Sequence, residues 1–288
     1  MFRSKFRWRT SILCLAMVLS SAATWSACLG DRNAKKILTL AVVPQLPRTA
    51  IYTKWAPLLE QVGQRMGQCF DLIIPDSTPA FEKLLFNGDP DLAFANPYHM
   101  VIAKKRQGYA PLLIDGSVKL TGILMVKADS PIQNIHDLQD KKVAFPSQNA
   151  FASSLLIRAE LAKEGIRIQP RYANTHASAY RAVAMGEMAA AGGVNNTWMR
   201  EDPVLRTSLR ILYETPGYAP HPLLAHPRVS SSIRKGVIDT FMSLSANEAG
   251  KKFLEGVQMS MPVQANYQRD FAPLERLGLE KFAALDEN

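Results

Sequence analysis

The stretch AFPSQNAFASSLLIRAEL, residues 144–161, has the residue types of a strand end, a loop and a helix start. At such a junction the first N–H groups of the helix lack partners, and the helix dipole adds partial positive charge. We therefore expect main-chain groups to bind an anion here. The side chains supply little, because only one amide and one hydroxyl are present among the candidate residues. These candidates are Asn149, Ala150, Phe151, Ala152 and Ser153.

Other polar or aromatic side chains follow predicted strands at the positions where open α/β sheets bind ligands, the carboxyl ends of the strands. Three of them also have a structural interpretation. Tyr98 fits a core side chain, His176 fits a cap or an exposed residue, and Asn195 fits a cap for the next helix. The additional ligand-binding candidates are Tyr52, Asn96, Tyr98, Thr121, His176 and Asn195.

No metal site, cofactor or catalytic centre is expected. His221 and His226 are five residues apart in an extended stretch, so their side chains face opposite sides. His99 and His136 are placed on helical surfaces without Cys or carboxylate partners at zinc spacing. The sequence has no Gly-x-Ser-x-Gly elbow, phosphate-cradling Gly-Lys-Ser/Thr loop or paired-carboxylate motif. These observations predict a protein that is not an enzyme.

From residue 37 onward, short apolar runs alternate with amphipathic stretches. Such runs are typical of strands in parallel sheets that are covered on both faces. The stretches between them have helical spacing and end at or near Gly. This alternation predicts an α/β fold. The first runs are ILTLAVV (37–43), FDLIIP (70–75), DLAFA (91–95) and APLLI (110–114).

A second α/β series begins with TGILMVKADSP and ends with LRILYE. The segment TPGYAPHPLLAHP (215–227) then has many prolines and no helical period, so we expect it to be extended. Only two amphipathic helices and a tail are expected after it. Two series joined by two extended crossings predict two lobes, a hinge and a cleft. We assign 28–120 plus 218–288 to lobe 1 and 121–217 to lobe 2.

Residues 1–27 have a basic start, the apolar run SILCLAMVL and a small-residue stretch, which is the pattern of a secretory signal peptide. Cleavage after Ala23 and cleavage after Ala27 both fit. Cys28 has two alternative fates. Lipidation would attach the protein to a membrane surface, whereas an oxidising compartment would allow a disulfide with Cys69. We expect export to the periplasm, with no later segment that spans a membrane.

The composition, 47% hydrophobic and 20% charged residues, is that of an ordinary globular protein. The formal charge is +9, but the predicted signal peptide contains four basic residues and no acid, which leaves +5 for the remainder. Lysine and arginine are scattered among acids there, so we expect no nucleic-acid partner.

Several segments occur in the order of a known family. From about residue 37 to 275, the chain resembles the phosphate, phosphite and phosphonate substrate-binding proteins of ABC transporters. The resemblance implies a type II periplasmic-binding fold, in which two lobes close on a tetrahedral anion. The segments that carry it include DLAFANPYHMVIAKKRQGYAPLL, ILMVKADSPIQNIHDLQDKKVAF and ETPGYAPHPLLAHPRV.

This chain also differs from the phosphonate-binding members of the family at several positions. Where phosphonate-binding members of the family have a Ser-Thr-Ser run, this chain has Ala150, Phe151 and Ala152, and His176 and Asn195 replace acids. Each hydrogen bond to a charged group contributes ~1.5–3 kcal/mol, so the loss of several donors weakens phosphonate binding unless others replace them. An aminoalkyl phosphonate is disfavoured, and a smaller or less charged oxyanion, or an organic ligand stacked on Phe151, fits better.

The resemblance implies a monomeric exported protein that captures a small phosphonate-, phosphite- or phosphate-like anion and delivers it to an ABC permease. The alternative is a periplasmic sensor subunit that signals to a membrane histidine kinase or cyclase without transport. Both interpretations use lobe closure around a solute.

Overall fold

The protein contains two β-sheets with helices packed against them. The structure, a computed structural model, describes residues 28–284, so the predicted signal peptide lies outside the described residues. Strands within 29–115 and 223–264 form one sheet, and strands within 122–214 form the other. The predicted α/β class with two separate sheets is therefore confirmed.

The larger sheet has seven strands in the described part of the chain, in the order β1-β3-β2-β4-β11-β5-β12. Strand β2 runs parallel to β3 and β4, as the apolar runs predicted. Strands β11 and β12 pair antiparallel with β5, and β11 also pairs antiparallel with β4. The strands are β1 (Leu29–Gly30), β2 (Ile37–Val42), β3 (Cys69–Ile73), β4 (Leu92–Phe94), β5 (Ala110–Asp115), β11 (Leu223–Ala225) and β12 (Pro262–Gln264).

The strands of the four predicted apolar runs therefore point the same way, whereas β11 and β12, which were not expected, pair antiparallel with them. After completing the second sheet, the chain re-enters the first from the opposite direction, and Leu223–Ala225 inserts between β4 and β5. The expected extended crossing therefore contains a central strand. The expected tail also contains a strand, Pro262–Gln264, at the sheet edge. Both strands are only three residues long, too short to give a clear period.

The smaller sheet has five strands in the order β10-β6-β9-β7-β8. Strand β7 is parallel to β8 and β9, whereas β6 is antiparallel to β9 and β10. The carboxyl ends of β7 and β9 therefore lie at the same edge of the sheet. The strands are β6 (Gly122–Lys127), β7 (Lys142–Phe145), β8 (Gln169–Tyr172), β9 (Ala190–Val194) and β10 (Leu209–Glu214).

The helices follow the amphipathic stretches closely. Two of them end at Gly67 and Gly88, whose positive φ angles of 61° and 81° favour glycine. The α-helices are α1 (Arg48–Met66), α2 (Thr78–Asn87), α3 (Pro97–Gln107), α4 (Ile157–Lys163), α5 (His176–Ala184), α6 (Asn195–Trp198), α7 (Pro203–Ser208), α8 (Ser231–Leu244), α9 (Glu248–Gly256) and α10 (Tyr267–Asp270). Short 3₁₀ segments cover Ile135–Leu138, Ala272–Arg276 and Leu279–Lys281.

A disulfide joins Cys28 to Cys69, with a Cα–Cα distance of 5.3 Å. It attaches the short strand β1 to the beginning of β3, where Gly30 pairs with Cys69. The sulfur of Cys28 cannot be in this disulfide and carry a lipid thioether at the same time. The two alternative fates predicted for Cys28 are therefore mutually exclusive in one molecule.

The apolar core continues from one sheet to the other. One buried cluster contains Ala41 and Leu224 of the larger sheet together with Phe151, Leu155 and Val194 of the smaller lobe. The two halves are therefore in direct contact in this structure. Within residues 28–284, no helix combines the length and the apolar character needed to cross a membrane.

Candidate ligand-binding site

A cavity of about 50 Å³ lies between the two sheets. A volume of this size holds about four water-sized groups, which suits a solute of a few heavy atoms. Six of the residues predicted from the sequence line it, namely Asn96, Ala150, Phe151, Ala152, Ser153 and His176. The other lining residues are Val43, Pro44, Gln45, Thr78, Leu120, Pro146, Ser147, Asn174, Thr175, Val194 and His221.

The helix predicted within residues 144–161 begins at Phe151, with a turn of π-helix, Phe151–Leu156. The carbonyl of Ala150 accepts hydrogen bonds from the N–H groups of Ser154 at 2.9 Å and Leu155 at 3.0 Å. Within the described part of the chain, the N–H groups of 151–153 have no hydrogen-bond acceptor, and no side chain caps the helix. These amides are available to an anion at the cavity wall. Such π turns are frequent at functional sites.

The start of this helix lies directly on two glycines of the smaller sheet. A Cβ atom at Gly122 would lie 2.2 Å from the carbonyl oxygen of Ala152, and one at Gly192 would lie 2.0 Å from that of Ser153. Both distances are far below van der Waals contact, so any larger residue would push the helix away from β6 and β9. The glycines therefore bring the free amides close to the end of the sheet.

Two histidines from opposite sides of the cavity contribute to its wall. His176 is the first residue of α5, and His221 precedes β11. Burial lowers the pKa of His176 to about 4, and burial together with the nearby His99 and His176 lowers the pKa of His221 to about 3. Both imidazole rings are therefore neutral at neutral pH. The side-chain nitrogen Nε2 of Gln45 contacts Nε2 of His221.

Five predicted site residues do not line the cavity, namely Tyr52, Tyr98, Thr121, Asn149 and Asn195. Tyr52 is 48% exposed on α1. Tyr98 is buried in the core, where burial raises the pKa of its hydroxyl to about 12. Thr121 donates a hydrogen bond to Glu214 at 2.5 Å, and the side-chain oxygen of Asn195 accepts one from the N–H of Thr121 at 3.3 Å. These two residues tie strand ends together near the crossings.

The side chain of Asn149 connects the two halves of the protein. Its Nδ2 atom donates to Oε2 of Glu82 at 3.0 Å and to the carbonyl of Ala284 at 2.8 Å, and its Oδ1 atom accepts from the N–H of Ala284 at 2.9 Å. The amide of Asn96 donates to the carbonyl of Asn149 at 3.2 Å. Asn149 therefore positions the loop before the π turn.

The sequence-based placement of His99 on a helical surface was wrong. His99 is only 1% exposed, and its Nε2 atom lies 2.8 Å from Oε1 of Glu82 on the neighbouring helix α2. The two residues are 17 positions apart in sequence, so the short spacings typical of zinc ligands do not pair them. Within residues 28–284, no three His, Cys, Asp or Glu side chains are grouped to hold a metal ion.

Sequence reasoning missed two groups of lining residues. Gln45, Thr78 and Ser147 follow the ends of strands or begin the next helix, so the rule that named Asn96 would have found them. His221 lies in the segment between the sheets and had no such signal. Its ring stacks on Phe94 of β4 at 5.7 Å, which places it beside the carboxyl ends of the central strands.

Known proteins support the same architecture. The sequence model described as "ABC transporter, phosphonate, periplasmic substrate-binding protein" matches residues 40–271. The chain belongs to this family. A phosphonates-binding periplasmic protein of Escherichia coli strain K12 is 22% identical over 289 aligned residues, which cover 94% of this chain and 82% of the relative.

Two solved structures are similar in fold. A binding-protein component of an ABC phosphonate transporter from Pseudomonas aeruginosa has a TM-score of 0.74 and 17% identity, over 85% of this chain and 86% of that one. A protein from Prochlorococcus marinus, solved in complex with methylphosphonate, has a TM-score of 0.76 and 15% identity, over 85% of this chain and 98% of that one. The type II periplasmic-binding fold implied by the resemblance is thus confirmed. The family is a class of transport substrate-binding proteins and not a class of enzymes.

Proposed function

We propose that this protein is an exported solute-binding protein that captures a small phosphonate-, phosphite- or phosphate-like oxyanion between two lobes and delivers it to an ABC permease. The family match over residues 40–271 supports the transport role. The observation that carries the ligand class is the set of free amides at residues 151–153 on the wall of a small cavity. Backbone N–H groups at a helix start favour negative charge whatever the side chains are.

The proposed lobes are residues 28–120 with 218–288, and residues 121–217. At the crossings, the N–H of Leu120 donates to the carbonyl of Tyr218 at 2.9 Å, and the N–H of Tyr218 donates back at 3.0 Å. The two crossings therefore run side by side, which suits a hinge. Closure about this hinge would bring Ser153 and His176 of lobe 2 toward His221 and Gln45 of lobe 1.

The chemistry of the wall favours some members of the ligand class. Among the described residues that line the cavity there is no Asp or Glu to bind the ammonium group of an aminoalkyl phosphonate. The small volume also favours a solute of a few heavy atoms over one with a long substituent. We therefore favour phosphite, methylphosphonate or a solute of similar size.

The proposed location is the periplasm, because the family is periplasmic and a disulfide between Cys28 and Cys69 persists in oxidising compartments. In this proposal the mature protein is a monomer that meets the permease at the membrane surface. The disulfide form of Cys28 is favoured over the lipidated form.

Thermal unfolding tests the ligand class directly. The mature chain is unfolded alone and with phosphite, methylphosphonate, phosphate, sulfate or acetate, and with glycine as a neutral control. A ligand at a hundred times its dissociation constant stabilises the folded state by ~2.7 kcal/mol, which raises the Tm of a chain of this size by about 5–10 °C. The proposal fails if no tetrahedral oxyanion raises the Tm more than glycine does.

A further inference from the structure

Three polar side-chain atoms on the cavity wall are buried and have no hydrogen-bond partner within residues 28–284. They are Oγ of Ser153, Nδ1 of His176 and Nδ1 of His221. Ser153 is 1% exposed and His221 is 8% exposed. A buried polar atom without a partner costs ~1–3 kcal/mol, so three on one small cavity point to a ligand that supplies the missing bonds.

The wall offers these bonds without any formal charge. No Asp, Glu, Lys or Arg is found among the described residues that line the cavity. The titratable groups that act on His221 are His176 and His99, and His99 is paired with Glu82 at 2.8 Å. Among the lining groups, positive potential comes from dipoles, above all the free amides at the start of the helix at Phe151. The buried guanidinium of Arg158 lies outside the lining, where it donates to the hydroxyl of Ser154 at 3.2 Å and to the carbonyl of Gln148 at 2.7 Å. Such a wall stabilises one negative charge but has no cation for a second.

We propose that the cavity selects a small oxoacid in its singly charged, protonated form and discriminates against the doubly charged form. This inference rests on the proposed function and defines the charge state of its ligand. The singly charged form has a hydroxyl that can donate to an imidazole nitrogen, and oxygens that accept from amides and from Ser153. Burying a second charge without a counterion costs several kcal/mol.

The two histidines divide the roles. A neutral imidazole has one donor and one acceptor nitrogen. The side-chain amide nitrogen of Gln45 contacts Nε2 of His221 and can only donate, so Nδ1 of His221 carries the hydrogen and donates to the ligand. Among the described residues, Nδ1 of His176 is the other buried imidazole nitrogen on the wall without a partner. In this proposal it accepts the hydroxyl hydrogen of the ligand. The fourth substituent of the ligand, a hydrogen or a methyl group, faces the apolar side of Ala150 and Phe151.

Titration calorimetry with methylphosphonate and methanesulfonate tests this inference from about pH 5.5 to about pH 8.5. The two molecules have nearly the same shape. Methanesulfonate has one charge and no hydroxyl throughout, whereas methylphosphonate loses its second proton within the range. We expect the dissociation constant of methylphosphonate to rise about tenfold per pH unit once that proton has left. Methanesulfonate should bind at least about tenfold more weakly than singly charged methylphosphonate, with no pH dependence.

The same titrations distinguish failure of the charge selection from failure of the proposed function. Methylphosphonate binding that is unchanged or tighter at high pH would overturn the selection of the single charge. Methanesulfonate binding that tightens as the pH falls would show that protonated histidines, and not neutral ones, bind the anion. Failure of both ligands, and of phosphite and phosphate, at every pH would instead refute the proposed function itself.

Two variants test whether His176 is responsible for the preference for methylphosphonate. His176→Phe removes the proposed acceptor, so the preference for methylphosphonate over methanesulfonate should fall to within about twofold at the acidic end. His136→Phe, on an exposed 3₁₀ segment, is the matched control and should retain the wild-type preference. Retention of the preference in His176→Phe would contradict the assigned role. The wild-type pH profile tests the charge selection even if His176→Phe does not fold.

Discussion

Ser153 and His221 lie 68 positions apart in the sequence, in different parts of the fold, yet both line one small cavity. The hydroxyl of Ser153 is at a position that the helix-start pattern named. The ring of His221 is placed by its stacking on Phe94 and its contact with Gln45. At the scale of the residue, the site depends on uncharged polar groups. Burial keeps the ring of His221 neutral, because it lowers the pKa of the imidazole.

Burial of His221 predicts a pH dependence of stability. The folded state binds a proton on this ring only below about pH 3, whereas an unfolded histidine has a pKa of ~6.5. Between these values the unfolded state binds more protons, so the free energy of unfolding falls as the pH falls, by about 1.4 kcal/mol per pH unit for each such histidine. In His221→Phe this slope should be shallower by about that amount. Urea denaturation at pH 6.5 and about pH 5 measures it.

The matched control for this experiment is His136→Phe, which replaces an exposed histidine. Its slope should equal that of the wild type. An unchanged slope in His221→Phe would mean that the ring of His221 is already accessible to protons in the folded state.

At the scale of the elements, the close contact between the helix at Phe151 and strands β6 and β9 controls where the free amides lie. The sequence Gly192-Gly193 marks this contact, because a Cβ at Gly192 would collide with the carbonyl of Ser153 and the ring of Phe145. A Cβ at Gly193 would lie 2.1 Å from the hydroxyl oxygen of Tyr180. Both faces of β9 are therefore closed to larger side chains.

Gly192→Ala should lower the free energy of unfolding by about 1–3 kcal/mol, because the helix must move away from the sheet. It should also weaken binding of the ligand found by the thermal screen, since the amides at 151–153 move with the helix. Gly256→Ala is the control. It lies near the end of α9, where a Cβ meets nothing closer than 3.8 Å, and should be neutral or slightly stabilising.

Chemical denaturation and calorimetry on the two alanine variants separate these outcomes. Equal stability of Gly192→Ala and Gly256→Ala would mean that the helix and the sheet are not in the tight contact described.

At the scale of the whole molecule, hydrogen bonds outside the cavity help to hold the lobes together. Asn149, in the proposed lobe 2, bonds to Glu82 and to the backbone of Ala284, both in the proposed lobe 1. Asn196 adds a bond to Gln258 across the same interface at 3.1 Å. The closed arrangement therefore has support that does not depend on a solute.

Asn149→Ala should shift the protein toward an open form. Small-angle scattering without ligand should give a larger radius of gyration, and the apparent dissociation constant of the ligand found by the thermal screen should rise about tenfold, because fewer molecules are closed. Gln133→Ala changes an exposed side chain of lobe 2 and should behave as the wild type. Identical scattering curves for both variants would show that this contact does not affect closure.

The disulfide acts on the whole chain because it joins Cys28 to Cys69, which lie 41 positions apart in sequence. Cys69→Ser should lower the free energy of unfolding by about 2–4 kcal/mol, and Cys28→Ser should do the same. The double variant should lose no more than either single variant, because the two cysteines act as one bond. Intact mass spectrometry of the wild type should find two hydrogens fewer than in the reduced chain. A mass increase from a lipid on Cys28 would contradict this.

The sequence by itself determined most of the strands and helices and their order, the glycine ends of α1 and α2, the family and the helix start at residues 149–153. These depend on local periods and on motifs within single segments. It also named Asn96, which lines the cavity, from the rule that ligands lie at the carboxyl ends of strands.

Only the tertiary structure decided which side chains reach the cavity. Tyr98 and Asn195 follow strand ends but are used in the core and at the crossings, whereas His221 comes from a segment without a local pattern. The antiparallel insertion of β11 between β4 and β5 was equally invisible, because a three-residue strand has no readable period. Contacts between residues far apart in sequence are set by strand order and lobe packing, which local patterns do not encode.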